Sequence, residues 1–340
     1  MRLALFPILG LIAAGGLAAQ QGSLTGPVEA YTFDAPTRSL RAVIGFPGAA
    51  SFGPALRDSL DFASVAPLQN YGIGFQRGRC LLIANLGSTA LAARTLEGVD
   101  AQPEGIAWSG DGSLAVLYSR TGNWLQTVTG FPGSPVAEAR VALGEGGSSL
   151  GGVLASVAID VKGKQIAIGL SGDTGAVYVS SDGRIFTNLK TVAQPIALTF
   201  STDGLTLYAL EGSAPQVFAI TLSNHAYQNI PLTGLAAPVA IQGAEDSQSR
   251  PLLYVASSSD RVLRIVDVAS QQIVTTVALS FQPTSLDQFG SNSFVVAARS
   301  QAANPLWLFT NTPQPGAYFV PAIEWRHPGP SRQGFPGGVR

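Results

Sequence analysis

The chain is poor in the residues that metal, redox and nucleophilic chemistry usually draws on. Its 340 residues include one cysteine (Cys80), one methionine and two histidines, His225 and His327. A single cysteine cannot close an intramolecular disulfide, so the fold has to rest on buried apolar surface. Cys80 stands in the apolar run Cys80-Leu81-Leu82-Ile83-Ala84 and is expected to be a small core residue. A zinc site of the histidine and cysteine kind needs three or four such ligands, and these three residues are scattered. A Ser-His-acid triad would have to recruit one of the two histidines; His225 falls in a hairpin turn, Ser223-Asn224-His225, and His327 in a Pro/Gly-rich tail.

Charge is scarce too. Charged residues are 12% of the chain, about half the usual share, and the net charge is −1. Such a balance offers no long-range field to nucleic acid or to an anionic membrane, so neither is expected as a partner. After the first nineteen residues no apolar run approaches the length of a bilayer span. Those first residues have their own layout. Arg2 is followed by the apolar stretch Leu3 to Leu17, broken at Pro7, Gly10, Gly15 and Gly16, and then by Ala18-Ala19 ahead of the polar Gln20-Gln21-Gly22-Ser23. This is the pattern of a secretory signal peptide over 1–19, cleaved near Ala19. The expectation is an exported protein, periplasmic or extracellular, with no transmembrane segment in its mature form. No cysteine follows the stretch to carry a lipid.

Glycine (39) and proline (22) are plentiful, and Val, Ile, Thr, Ser and Ala dominate over helix-favouring runs, which indicates an all-β fold with many turns. One pattern recurs. Pro103-Glu104-Gly105-Ile106-Ala107-Trp108-Ser109-Gly110-Asp111-Gly112 matches Pro195-Ile196-Ala197-Leu198-Thr199-Phe200-Ser201-Thr202-Asp203-Gly204 position for position. Looser copies start at Leu154, with a turn at Lys162-Gly163, at Pro238 and at Pro283, so the anchors lie 51, 41, 43 and 45 residues apart. A period in the forties with about four strands per unit is the mark of propeller blades. Glycine in each turn supplies the positive φ a tight hairpin requires. After each turn comes a nearly apolar strand, such as Leu114–Tyr118 or Leu252–Val255, suited to packing on both faces. Six units run from about residue 60 to 322. Ahead of them, Val28–Asp34 and Leu40–Ile44 around Ala35-Pro36-Thr37 read as outer strands of a further blade, closed by the chain ends meeting in one sheet. The reading is therefore a single β-propeller over 20–322 with six or seven four-stranded blades, seven preferred, and a Pro/Gly-rich tail over 323–340.

Leu253-Tyr254-Val255-Ala256-Ser257-Ser258-Ser259-Asp260-Arg261-Val262-Leu263-Arg264-Ile265-Val266-Asp267, followed by Gln272-Ile273-Val274-Thr275-Thr276-Val277, resembles a YVTN-type propeller repeat. Leu207–Leu210 through Val217–Ile220 is a weaker second copy. Proteins with such repeats are often exported or surface binding propellers, and lactonase-like propellers are relatives in shape. The repeat residues are structural in that family, so the resemblance implies fold rather than activity.

In a propeller, residues ahead of each innermost strand stand near one mouth of the central channel, where a ligand would be met. The candidates are Gln102, Glu104, Ser156, Gln194 and Gln282, with Asp160 and Asp287 further along. They are mostly neutral, which suits hydrogen-bonded recognition better than acid–base catalysis. The leading expectation is a non-enzymatic, monomeric binding or scaffold module for a protein or envelope component, needing no cofactor. Its rival is an exported lactonase- or glycosidase-like hydrolase using Glu104, Asp160 and Asp287, with calcium held by those acids as in lactonase-like propellers. Ser180-Ser181-Asp182-Gly183-Arg184-Ile185-Phe186 is similar to the Asp-box of sialidases, one residue short, and is read as a turn brace. Trp108, matched by Phe200, is read as core; Trp124 and Trp307 as third-strand residues; Trp325 opens the tail.

Overall fold

The computed structural model describes residues 26–144, 150–290, 292–311 and 314–322, so the expected signal peptide and the tail with Trp325 and His327 lie outside the described residues. The chain forms seven sheets in sequence order, the blades of a β-propeller, and its only described helical turn is the 3-10 turn Ala35–Thr37. Blade 1 spans Val28 to Arg57 and has three described strands; the other six have four or more.

The sequence pattern explains each blade. Innermost strands follow the proline anchors: Gly105–Trp108 in blade 3, Val153–Ile159 in blade 4, Pro195–Phe200 in blade 5, Pro238–Glu245 in blade 6 and the short Asp287–Gln288 in blade 7, with Phe62–Val65 heading blade 2. The hairpin to the second strand is braced locally. Ser109 Oγ and Ser201 Oγ donate to Asp111 and Asp203, which accept the backbone N–H groups of Ser113 and Leu205 in turn. Gly112 and Gly204 sit at φ +75° and +72°, a region a side chain would resist. Asp182 does the same service, accepting from Ser180 and from the N–H groups of Arg184 and Ile185.

Second strands carry the core. Leu114–Ser119, Ile166–Ser171, Thr206–Glu211 and Pro251–Ser257 are almost wholly buried, and their side chains join apolar clusters that each span two neighbouring blades. Cys80 lies in one of these, 2% exposed, and burial pushes its thiol up to about 12. Trp108 packs on the same cluster with its indole N–H donated to Ser64 of the preceding blade. Trp124 and Trp307 occupy third strands, the latter stacked on Phe281 at 4.2 Å.

The first blade differs in register from the others. In every blade from 3 to 6 the residue after the outer strand donates its N–H to the carbonyl just ahead of the third strand: Leu143 to Asn123, Val192 to Gly175, Leu232 to Pro215 and Leu279 to Arg261. Leu60, which follows Ser51–Arg57, makes this bond to Arg38, which precedes Ser39–Ile44. Blade 1 therefore consists of a second, a third and a fourth strand, in agreement with the outer-strand expectation, and no described residue fills its innermost place. It is wedged between its neighbours: Val43, Ala50 and Phe52 pack on Leu306, Leu308 and Val320 of blade 7, and Leu40 and Phe33 pack on Leu60, Ala63 and Leu81.

Candidate functional site

The innermost strands all begin at one mouth of the channel, here the entry mouth, and end at the other, the far mouth. Gln102, Gln194 and Gln282 stand at the entry mouth on blades 3, 5 and 7, each exposed and each directly ahead of a buried proline, Pro103, Pro195 and Pro283. The proline anchors the strand, and the glutamine before it is left facing solvent. Gln194 is tied through its backbone: its N–H donates to Glu211, and its carbonyl accepts from Gly212.

Glu104 stands beside Gln102, but its carboxylate is occupied. It accepts from Ser119 Oγ at 2.8 Å and from the backbone N–H groups of Arg120 and Thr121. The Ser119 hydroxyl, followed by Thr121, holds its pKa below the usual carboxylate range. Asp160 lies at the far mouth. Only 6% exposed, it closes the hairpin after Val153–Ile159 by accepting the N–H groups of Lys164 and Gln165. The three acids thus divide between the two ends of the channel. Ser156 is not ahead of its strand as the repeat suggests. It lies within Val153–Ile159, past an irregularity in pairing, and its hydroxyl is buried and donated to Pro195 O of the next blade at 2.6 Å. It is a seam between blades rather than a ligand contact.

Asp287 is different. It sits within the innermost strand of blade 7, its side chain is open to water, and yet desolvation by the surrounding protein raises its pKa; a hydrogen bond from Ser285 offsets part of this. A group reached by water but enclosed by protein is one facing the channel. Its carboxylate raises the pKa of the Tyr118 hydroxyl, as does Glu104, although burial is the larger cause and Arg120 opposes both. Tyr118 belongs to the second strand of blade 3, three blades on from blade 7 around the ring, with blades 1 and 2 between them. Its reach is set by Gly105. The two residues are paired across the strands, and a Cβ on Gly105 would meet the ring and hydroxyl of Tyr118 at 2.4 Å. Glycine there lets a second-strand phenol lie over the inner strand toward the channel. Sequence reading missed Tyr118, because the signal, a glycine opposite a tyrosine, exists only once the register is known.

The remaining candidates separate cleanly. His225 is exposed in its turn at φ +57°. Among the described residues no cluster of three or more His, Cys, Asp or Glu is placed to hold a metal ion. The spacing Gly-x-Ser-x-Gly occurs at Gly147-Ser148-Ser149-Leu150-Gly151, largely outside the described residues. Sequence reasoning passed over it, but its hydrolase context is a strand-to-helix turn, and no described α-helix exists to supply one. An open groove of about 470 Å³ lies away from the channel between blades 5 and 6, lined by Asp203, Tyr208, Tyr227, Glu245 and Val268. No described helix is long and apolar enough to cross a membrane.

No protein family model matches the chain, and no curated protein matches it. Solved structures do. A dihydro-heme d1 dehydrogenase, NirN, in complex with DHE is 15% identical, with a TM-score of 0.55 over 92% of this chain and 67% of that one. A nidogen/laminin complex is 13% identical with a TM-score of 0.46, over 75% of this chain and 92% of that one. At such identities the likeness to NirN carries the propeller fold and nothing about function.

Proposed function

We propose that this chain is an exported, monomeric β-propeller that binds a protein or envelope component through the entry mouth of its channel, without catalysis. The observation that carries this reading is how the acidic side chains are used. Glu104, Asp111, Asp160, Asp182, Asp203 and Asp246 each accept backbone N–H groups of a turn, and so brace hairpins. Three amides are open to a ligand at the entry mouth, Gln102, Gln194 and Gln282 on alternate blades, beside the exposed Arg120 and Asp173, with the Asp287 and Tyr118 pair deeper in the channel. Amides, a phenol and a carboxyl favour a polar ligand surface that gives and takes hydrogen bonds. The YVTN-type repeat and the N-terminal leader pattern support an exported binding module.

The rival hydrolase draws its support from Glu104 and Asp287 acting on the same tyrosine. Against it, Glu104 is already committed to a turn and Asp160 stands at the opposite mouth, so a carboxylate pair flanking one bond is not assembled. A thermal-shift series on residues 20–340 with calcium, EDTA, neutral oligosaccharides and lactones separates the two. The binding reading expects a melting point indifferent to calcium and EDTA, and any stabilising ligand to lose its effect in Gln102→Ala/Gln194→Ala/Gln282→Ala. Stabilisation by calcium, or turnover of a lactone lost in Asp287→Asn, would overturn it.

A further inference from the structure

Blades 5 and 6 meet along a seam that is closed at depth and open on the far-mouth side. Deep in the seam Gly243 donates its N–H to Thr199 Oγ1. Toward the far mouth it widens into the groove of about 470 Å³. Blades 3 and 4 show how the same repeat can close instead. There Gly110 lies so near blade 4 that a Cβ on it would meet Val161 at 3.1 Å, and Asp111 donates its N–H to Val161 O at 2.8 Å. In blade 5 the residue matching Gly110 is Thr202. Its side chain reaches across the seam, where its hydroxyl donates to Glu245 of blade 6, and among the described residues no backbone bond joins Asp203 to that blade.

The resulting groove carries charge of one sign. Asp203 and Glu245 line it, no lining residue is basic, and neither carboxylate forms an ion pair among the described residues. Each has one oxygen engaged, Asp203 Oδ1 by Ser201 and the Leu205 N–H and Glu245 Oε1 by Thr202, which leaves Oδ2 and Oε2 for a ligand. Two bases stand close by and are engaged elsewhere: Arg250 is paired with Asp246, and Lys190 lies over the Tyr227 ring at 3.5 Å. A second feature points independently to a ligand. Tyr208 is 3% exposed and packs in the cluster between the blades, yet it lines the groove, and its hydroxyl has no hydrogen-bond partner among the described residues. Ala219, its neighbour across the strands, is too short to cover it. Burial, and then the Asp203 charge, push this phenol up to about 12, so it stays neutral and its oxygen can accept a hydrogen bond.

We propose that this groove is a second binding site, for an alkylammonium or guanidinium group held between Asp203 and Glu245 against the Tyr208 oxygen. Such a cation supplies N–H donors to both free carboxylate oxygens and to the phenol, and bonds of that kind to a carboxylate are charge-assisted. The site opens on the side opposite Gln102, Gln194 and Gln282, so the two can be filled together. The cation has two possible sources, a free amine or the lysine or arginine side chain of a polypeptide.

Isothermal titration of the full chain with agmatine, cadaverine and the acetylated amides of arginine and lysine tests the site. The proposal expects saturable binding that weakens as salt rises. Affinity should fall about tenfold or more in Asp203→Asn/Glu245→Gln, and by less in Tyr208→Phe. Both carboxylate changes keep the oxygen that braces the turn or meets Thr202. Tighter binding of the acetylated amides than of the free amines supports a polypeptide side chain as the ligand; the reverse order supports a free amine. No binding of any probe, an unchanged affinity in the double variant, or uptake of calcium with no amine bound overturns the proposal. If the double variant fails to fold, tyrosine-ring NMR of the wild-type chain gives the answer. Agmatine should move the Tyr208 signal, identified by its loss in Tyr208→Phe. An unmoved Tyr208 signal, or movement of Tyr118 alone, overturns the proposal.

Discussion

Blade 6 and blade 1 lie on either side of blade 7, and they are held in the ring by different forces. In blade 6 the second strand Pro251–Ser257 buries Leu253, Val255 and Ala256 completely, and Tyr254 sets its ring edge-on to Phe294 and Phe309 of blade 7 at 5.4 Å. Its buried polar contact with blade 5 is an uncharged hydrogen bond, in which Gly243 donates its N–H to Thr199 Oγ1. Blade 1 buries charge. Asp34, 1% exposed, lies 2.9 Å from Arg299 of blade 7 and 3.7 Å from Arg41, and accepts from Thr37; Arg299 is held in turn by the carbonyls of Ala302 and Asn304. Ser293 of blade 7 donates to Glu29, and Arg38 pairs with Asp61 of blade 2. Between complete blades, apolar clusters are joined by uncharged hydrogen bonds such as Trp108 to Ser64 and Ser156 to Pro195 O. At the seam between blade 7 and blade 1, which has three described strands, directional polar contacts fix a register that packing alone would leave loose.

If that contrast is sound, the largest effect should come from Arg299→Ala. It leaves the buried Asp34 to Arg41 at 3.7 Å and the Thr37 hydroxyl, and breaking a buried pair in this way costs about 3–5 kcal/mol. Urea unfolding should show the midpoint falling at least as far as in any single core truncation. A loss under about 1 kcal/mol would mean the ion pair is incidental to the seam. Next in size is Leu253→Ala in blade 6, where a fully buried side chain leaves a cavity and the expected loss is about 3 kcal/mol. A loss under about 1 kcal/mol would show that this side chain is not needed to fill the cluster between blades 5 and 6.

The smallest effect belongs to Asp287→Asn, and its sign is opposite. The folded pKa of Asp287 is raised above that of the unfolded chain, so its contribution to stability is fully present below the unfolded value, near 4, and is lost as pH rises through the folded value. At neutral pH the wild-type protein carries the cost of ionising an enclosed carboxyl, and the amide removes it. The variant should melt slightly higher at pH 7–8 and no higher at pH 3. A variant that melts lower at pH 7 would show that the carboxylate has a partner in the channel, which would strengthen the rival hydrolase.

The regular parts of this molecule were legible because their causes are local. Pro, aromatic, Ser and Asp-Gly recur in blades 3 and 5 since each hairpin braces itself within a dozen residues, and the nearly apolar second strands can be picked out wherever a strand is packed on both faces. The hairpin at Ala35–Thr37, the buried Cys80 and the turn role of Asp182 were readable for the same reason. The site was readable only in part. Gln102, Gln194 and Gln282 share a place in the repeat, so their common mouth follows from it. Ser156 did not, because a pairing irregularity between Leu154 and Ser156 shifts it into the strand and under the next blade.

Composition and period therefore determined that this chain is a β-propeller, since turns and strand faces are settled between near neighbours. Tertiary structure alone decided that Asp287 and Tyr118 act on one another, that Glu104 and Asp160 stand at opposite ends, and that Val28–Asp34 takes the place of a second strand in blade 1. Each of those facts joins residues from different blades or depends on strand register. Both are settled when the ring closes, by packing between segments far apart in the chain, and no local pattern records them.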